Sequence, residues 1–577
     1  MPRRIVIVGA VALGPKVACR IRRLDPDAQI TMVDRDSRIS YAGCGIPYFV
    51  AGDVPEVEGL LATAYKVKRD PDFFRRAKAV EVRAETEALQ IDRAGKRVRI
   101  RDLKTASEEW LTYDKLVLAT GSRPWVPPIP GRELPGVTAM SNLHDALLMK
   151  KRLSKGEVRA VVIIGAGGIG LEMAEALTEL WGVEVTILEI QDQVLPSALS
   201  PELARLVQDA FARHEVKFLT GERAERLEGD PETGVSAVVT ASGQRLPCQH
   251  VIMATGVRPN ADLAREAGLA IGRLGGIVVD ARLRTSDPDI YAGGDCVELR
   301  HLVSGEATFQ PLGSLANRQG RVIAANLAGG RASFPGALGS FCVKAFDVCA
   351  ARAGLSEAEA VAAGFPAVAV LVAAHDRAHY YPTAKMMFLK LIADRATRRV
   401  LGVEAVGEAG DAVKSRVDAI AAAMTFGADL EAVSNLEVAY APPYAQAMDI
   451  VNLAANALEN VIEGRNDPVS VGEFLREFSA GKLKVLDVRT RAEAEAHVRQ
   501  YGERWLNVPS DTLRARLDEL ELEEPLVVLC NSGQRSYEAQ IAFRQAGRPA
   551  PRHLQGGQLL LLRMDRTFLK AEEAEED

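Results

Sequence analysis

Ala160-Val161-Val162-Ile163-Ile164-Gly165-Ala166-Gly167-Gly168-Ile169-Gly170 is the stretch that decides the fold of this chain of 577 residues. It opens on an unbroken apolar run of Ala, Val and Ile, the pattern of a strand buried on both faces. A turn carrying Gly165, Gly167 and Gly170 follows, and Leu171–Trp181 reads as the helix that leaves it. Val183–Leu188 is the next strand, and Glu189 ends it. A glycine turn, a helix start with unpaired N–H groups and an acid at a strand end together suit a dinucleotide. The helix start faces the pyrophosphate and the acid faces a ribose hydroxyl.

Outward from this unit, the same layout stands at the start of the chain. Ile5-Val6-Ile7-Val8 reads as a buried parallel strand, Gly9-Ala10-Val11-Ala12-Leu13-Gly14 as the turn, and a helix runs to about Leu24. Ala28–Asp34 is the following strand, with Asp34 at its end. Val11 replaces the second glycine of the pattern. Leu116-Val117-Leu118-Ala119-Thr120-Gly121-Ser122-Arg123-Pro124 and Val251–Asn260 share a theme of strand, Thr-Gly and Arg-Pro. Ile290–Cys296 is a strand ending in Gly293-Gly294-Asp295, and an acid there suits a ribityl chain. These segments imply an α/β chain with two Rossmann-like domains and two bound nucleotides.

After the first unit comes Ser40-Tyr41-Ala42-Gly43-Cys44-Gly45-Ile46-Pro47-Tyr48. Pro47 can open a helix, and the free N–H groups and positive dipole end of a helix start favour a thiolate. Gly43 and Gly45 leave room for a substrate backbone or a flat ring. Phe49 stands where a dithiol flavin reductase has its second cysteine, and the next cysteine is Cys248. Cys44 is therefore expected to cycle without a local partner, as a mixed disulfide, a persulfide or a sulfenic acid. All seven cysteines are scattered and form no CxxC, so neither a disulfide framework nor a metal site is expected, and a reducing cytoplasm fits best. The net charge of −6 offers no global basic surface for nucleic acid. No apolar run approaches the roughly 18 residues of a membrane span, and Ile5–Val8 leads straight into a glycine turn rather than a signal peptide.

With these motifs in one chain, residues 3–460 resemble the flavin-dependent pyridine nucleotide–disulfide reductases. Within them the likeness is to the single-cysteine branch of coenzyme A-disulfide reductases, NADH oxidases and NADH peroxidases, and to the coenzyme A-disulfide reductases above all. It rests on Val11, on Ser40–Pro47, and on Pro311-Leu312 with Ala316-Asn317-Arg318-Gln319-Gly320. His379-Tyr380-Tyr381-Pro382 and Ala439-Tyr440-Ala441-Pro442-Pro443-Tyr444 add to it. The resemblance implies that Gly9, Val11, Gly14, Asp34, Arg35, Thr120, Gly121 and Asp295 bind FAD, and that Gly165, Gly167, Gly170 and Glu189 bind NAD(H). A carboxylate at Glu189 suits a 2′-hydroxyl and repels a 2′-phosphate, which favours NADH over NADPH. Glu172 would sit near the nicotinamide, or equally serve as an acid complementing the helix dipole. Residues of about 331–460 resemble the family's dimerisation domain. They imply a homodimer in which Tyr381 and Tyr440 reach the partner's cysteine, where a phenol can donate to a departing thiolate. By the same resemblance Arg20, Arg22 and Arg23 would hold the phosphates of coenzyme A, with Ser40 in the substrate site; an arginine-rich helix face is equally a solvated one. Gly43 stands where the family usually has Asn, which removes a hydrogen bond near the substrate sulfur.

Near Glu463-Gly464-Arg465-Asn466-Asp467-Pro468 the pattern breaks into a linker, and a smaller α/β unit follows. Val485–Arg489 reads as a strand, and Leu526–Leu529 delivers Cys530-Asn531-Ser532-Gly533-Gln534-Arg535-Ser536 into a helix near Tyr537–Ala546. Such a loop aims successive N–H groups at one sulfur and sets Arg535 at the rim, a cradle for a thiolate, a persulfide or an oxyanion. The segment resembles the rhodanese domain, with Cys530 as its sulfur-carrying nucleophile. Asp487 and Arg489 match its first motif and Leu554-Gln555-Gly556-Gly557 its last. Ala496-His497-Val498 replaces the common Gly-His-Ile, and no Trp follows Gly557. The expected order is 1–144 and 258–330 for FAD, 145–257 for NAD, 331–460 for dimerisation, 461–468 as linker and 469–570 as rhodanese, with a disordered acidic tail at Glu572–Asp577. The expected activity is NADH-dependent reduction, at Cys44, of coenzyme A persulfide, polysulfide or coenzyme A disulfide, while Cys530 carries sulfane sulfur. Two other readings stay open: an NADH oxidase or peroxidase using a Cys44 sulfenate, and a flavoprotein redox sensor.

Overall fold

The computed structural model describes residues 2–520 and 525–569, and the acidic tail falls outside them. The described residues divide into two compact units, one through Asp192 with His214–Ala337, the other Gln193–Arg213 with those from Leu338 on.

The first unit holds two five-stranded parallel sheets. One runs in the order Ile290–Ala292, Lys115–Leu118, Arg4–Val8, Gln29–Val33, Glu81–Arg83. Arg4–Val8 pairs on both sides, so Ile5, Val6 and Ile7 are all buried, as an unbroken apolar run requires. The other runs Lys217–Thr220, Glu184–Glu189, Ala160–Ile164, His250–Met253, Val137–Thr138. Each glycine turn follows a central strand whose neighbours connect in opposite directions, the place where an open α/β sheet leaves a crevice. The two Thr-Gly–Arg-Pro repeats pair with each other, Ser122–Pro124 antiparallel to Val257–Pro259.

Three expected boundaries move. Val137–Thr138 already pairs with Val251 and Ile252, and Leu143–Ser154 is one helix, so 144/145 is not a border. Within the expected NAD segment, the helix Pro201–Arg213 leaves to join the second unit. The cause is a buried charged row in that unit's sheet. Glu404 lies in register beside Arg352 and Lys390; it accepts from Ser200 N at 2.6 Å, while Arg352 donates to Ser197 O. These bonds hold the start of the helix on the sheet.

That sheet is antiparallel, in the order Phe341–Ala345, Val348–Gly354, Val400–Gly407, Met386–Asp394, Ala367–His375. Helices Gly410–Thr425 and Ile450–Ile462 cover it. The last sheet is parallel: Pro468–Val469, Arg552–Leu554, Leu526–Leu529, Lys484–Asp487, Trp505–Asn507. Pro468 already pairs with His553, and Ile450–Ile462 runs into the expected linker, which therefore shrinks to the few residues between them. Among the described residues, no helix is long and apolar enough to cross a membrane.

Candidate active site

Each glycine turn is clamped by its own strand-end acid. Asp34 accepts from Ala10 N at 2.6 Å and Asp36 N at 2.9 Å; Glu189 accepts from Ala166 N at 2.8 Å and Gln191 N at 2.9 Å. Gly14 and Gly170 let the helices settle on the turns: a Cβ on either would lie 1.9 Å from Gly9 O or 2.1 Å from Gly165 O. Helices Leu13–Leu24 and Gly168–Glu179 start with neither a side-chain cap nor an acid in the first turn, so their first N–H groups remain for a pyrophosphate. Val11 is half-buried in the first turn and Arg35 is exposed beside Asp34. Thr120 Oγ1 donates to Asn260 O at 2.6 Å, and Asn260 returns a bond to Thr120 O, which shapes the loop around Gly121. Asp295 accepts from Ser122 Oγ at 3.2 Å, and burial raises its carboxyl.

Cys44 sits in a one-turn 3-10 helix, Gly43–Gly45, that continues into the helix Ile46–Ala51. Ser40, buried and at φ +50°, donates its N–H to Ala10 O at 2.7 Å and ties this stretch to the first glycine turn. The far end of the helix is held by Lys150 Nζ on Phe49 O at 2.9 Å and Trp181 Nε1 on Val50 O at 2.8 Å. Pro47 does sit in its first turn, but the thiolate expected there is opposed. Cys44 is exposed on one side, yet its partial burial raises the thiol, and the Glu172 and Asp295 carboxylates raise it further. A second helix start lies beside the sulfur, at a residue not singled out from the sequence: a Cβ on Gly313, first residue of the helix Gly313–Leu327, would lie 3.6 Å from Cys44 Sγ.

Glu172 is the titrating neighbour of Cys44. Burial, then Glu175, pushes it up to about 7. Its charge therefore appears as pH rises through neutrality, and that charge disfavours the Cys44 thiolate. Glu172→Gln is expected to speed Cys44 alkylation at pH 8 by about threefold or more and to remove an inflection near pH 7. Peptide-resolved iodoacetamide labelling across pH measures both, and an unchanged profile would separate the two residues.

The arginines of the first helix do not act as one cluster. Arg22 donates to the carbonyls of Pro26, Ala28, Lys78 and Ala79 and is a staple of the fold. Arg20 is half-buried, with Nε buried and unpartnered. Arg23 alone is exposed, on a cavity of about 300 Å³ lined also by Cys19, Arg22, Arg76 and Lys78. In the second unit, the side chain of Tyr440 hydrogen-bonds Tyr380. Tyr381 is half-buried in a turn, its N–H on Ala378 O at 2.8 Å.

Cys530 is buried at the end of Leu526–Leu529, with Gly533 N donating to its Sγ at 3.1 Å and Ser536 Oγ at 3.5 Å. Arg535 stands at the rim, but both its terminal nitrogens lie 3.3 Å from the Glu493 carboxylate. Burial would raise that carboxyl, yet bonds from Arg535, Thr490 and Asn531 hold it down at about 2. Behind the loop, Asp487 and Arg489 form a buried ion pair completed by Trp505 Nε1 on Asp487 at 3.0 Å. Such pairs persist only when fully hydrogen-bonded. Glu493 and His553 were not singled out from the sequence, and Ser536 was quoted only as the end of the Cys530 loop; a capping box at Thr490-x-x-Glu493 was the local signal for Glu493.

A two-domain nucleotide fold with one cysteine near its switch points, and a second cysteine in a loop of its own, defines a nucleotide-dependent oxidoreductase of sulfur. The chain belongs to the pyridine nucleotide-disulphide oxidoreductase family, whose model matches residues 3–319, with its dimerisation domain at 341–451 and a rhodanese-like domain at 470–558. An NADH oxidase of Methanocaldococcus jannaschii is 34% identical over 452 residues, 78% of this chain and 98% of that protein. An NAD(P)H coenzyme A polysulfide/persulfide reductase of Pyrococcus horikoshii is 34% identical over 459 residues, 80% of this chain and 99% of that one. Among solved structures, an NAD-dependent persulfide reductase from A. fulgidus aligns with a TM-score of 0.91 at 41% identity, covering 97% of this chain and 99% of that chain.

Proposed function

We propose that this chain is an FAD-dependent NADH oxidoreductase that reduces a persulfide, polysulfide or disulfide of coenzyme A at Cys44, and that Cys530 carries sulfane sulfur. The observation that carries this reading is the pairing of one unpartnered cysteine beside a helix start with a second, loop-cradled cysteine on the same chain. Gly9, Val11, Gly14, Asp34, Arg35, Thr120, Gly121 and Asp295 would hold FAD, which supplies the two-electron connection between nicotinamide and sulfur. Gly165, Gly167, Gly170 and Glu189 would hold NADH, and the Glu189 carboxylate disfavours the extra phosphate of NADPH.

With a persulfide, the Cys44 thiolate attacks the sulfur bonded to the carrier and releases hydrosulfide. The resulting mixed disulfide takes two electrons from NADH and returns both thiolates. Arg23, Arg76 and Lys78 around their cavity suit the phosphates of the carrier. In a homodimer, Tyr440 with Tyr380 or Tyr381 would approach the partner subunit's Cys44. A reducing, cytoplasmic setting suits the cysteine usage.

The likeness to an NADH oxidase supports one second reading, electron delivery to oxygen or peroxide through a Cys44 sulfenate. Anaerobic NADH turnover with coenzyme A persulfide, coenzyme A disulfide and polysulfide, beside parallel assays with peroxide and with oxygen, decides between them. The expected order puts a sulfur acceptor first. Faster turnover with oxygen or peroxide would overturn it. Cys530→Ser should remove sulfur transfer from thiosulfate or polysulfide and spare reduction of a small preformed persulfide.

A further inference from the structure

We propose that His553 and Ser536 are positioning residues for the Cys530 thiolate: the imidazole donates to Ser536 Oγ and leaves the hydroxyl proton free to turn from Gly533 O to the sulfur. This rests on Cys530 being the nucleophile of its domain.

Ser536 is fully buried, and three polar groups surround its Oγ: Gly533 O at 2.9 Å, His553 Nδ1 at 3.2 Å and Cys530 Sγ at 3.5 Å. A carbonyl only accepts, so the single hydroxyl proton serves Gly533 O in the resting arrangement. The oxygen then meets the imidazole as an acceptor, and Nδ1 carries the ring proton. His553 Nε2 is accordingly a bare lone pair, and it is buried with no hydrogen-bond partner. Burial lowers the imidazole to about 4, so it stays neutral at working pH and acts as a directed donor rather than a base.

When Cys530 ionises, its sulfur becomes a strong acceptor with one donor already in place, Gly533 N at 3.1 Å. The hydroxyl can turn to the sulfur without stranding Gly533 O, because that carbonyl keeps the helical bond from Tyr537 N at 3.0 Å. The imidazole meanwhile holds the oxygen in place. The charged groups facing the sulfur from neighbouring elements are already matched: Arg535, in the first turn of the helix Gln534–Gln545, with Glu493 of the helix Arg491–Tyr501, and Asp487 on the adjacent strand with Arg489. A change in the thiol's titration on altering the neutral pair is therefore attributable to that pair.

The test is peptide-resolved labelling of Cys530 by iodoacetamide across pH, on the full-length protein. Ser536→Ala and His553→Leu are each expected to move the labelling midpoint upward by about half to one pH unit and to slow labelling at neutral pH by about three- to tenfold. Because His553 acts through Ser536, the double variant should shift no further than Ser536→Ala alone. A parent-like midpoint in folded His553→Leu, or a double shift equal to the sum, would overturn the proposal. If His553→Leu does not fold, His553→Gln keeps a side-chain N–H donor: a parent midpoint supports the assignment, and a shift matching Ser536→Ala overturns it. Sulfur uptake is scored separately, as added sulfur on the Cys530 peptide. A parent that takes up no sulfur yet shows the expected midpoints fails the carrier reading and leaves the positioning role standing.

Discussion

Replacing Cys44 by serine is expected to lower persulfide and disulfide reduction by at least about a thousandfold while NADH still bleaches the flavin. In the proposed route the Cys44 thiolate is the nucleophile that cleaves the sulfur–sulfur bond, whereas hydride transfer from nicotinamide requires no thiol. No other cysteine of the first unit stands in for it. Cys248 and Cys296 are buried, and Cys19 lines the cavity beside Arg23. A serine hydroxyl in the same place stays protonated, because an alcohol is far less acidic than a thiol and the partial burial and the Glu172 and Asp295 carboxylates that raise the thiol also oppose an alkoxide. Stopped-flow absorbance of the flavin, run beside an assay of released hydrosulfide and thiol, separates the half-reactions. Residual sulfur reduction within tenfold of the parent would place the chemistry at another residue.

The second large effect is expected from Gly557→Ala, a change at a position with no reactive group. Gly557 has φ +58°, and a Cβ on it would lie 2.4 Å from Cys530 O and 2.5 Å from Asn531 O. Those are backbone atoms, so no side-chain rotation relieves the overlap. The approach is this close because the helix Gly557–Met564 hands its first free N–H groups to the loop: Gln558 N donates to Cys530 O at 2.8 Å and Leu559 N to Asn531 O at 3.0 Å. Alanine must lift the helix from the loop, and its left-handed backbone adds about 1–2 kcal/mol of strain. Displacing the cradle by even about 1 Å costs on the order of a hundredfold in a positioned reaction. Sulfur uptake by Cys530 should fall by that much or more, while NADH-dependent reduction of a small persulfide at Cys44 should stay within about twofold. Wild-type uptake by the variant would mean that the loop does not depend on this packing.

The parts of this protein that one local pattern carries were set by the sequence alone. Apolar runs as at Ile5–Val8 and Ala160–Ile164, each followed by a glycine turn, specify a central parallel strand and a nucleotide crevice, because burial on both faces leaves no room for polar alternation. Cys44 and Cys530 were legible for the same reason: each lies in a short segment whose neighbours shape it. What only the tertiary structure decided depends on partners far along the chain. The helix Pro201–Arg213 joins the second unit because Glu404 and Arg352 hold the Ser197–Ser200 backbone, and nothing in its own sequence encodes that. Arg22 spends its guanidinium on Lys78 and Ala79 carbonyls, whereas the resemblance sets it on the phosphates of coenzyme A and its place on an arginine-rich helix face equally suits solvent. The helix start beside Cys44 comes from Gly313, and the imidazole behind Cys530 comes from the strand Arg552–Leu554, which follows the helix Gln534–Gln545. Hydrogen bonds and dipoles act over a few ångströms of space, so residues that tune a thiol are chosen by packing, whereas residues that build a strand or a turn are chosen by their immediate neighbours.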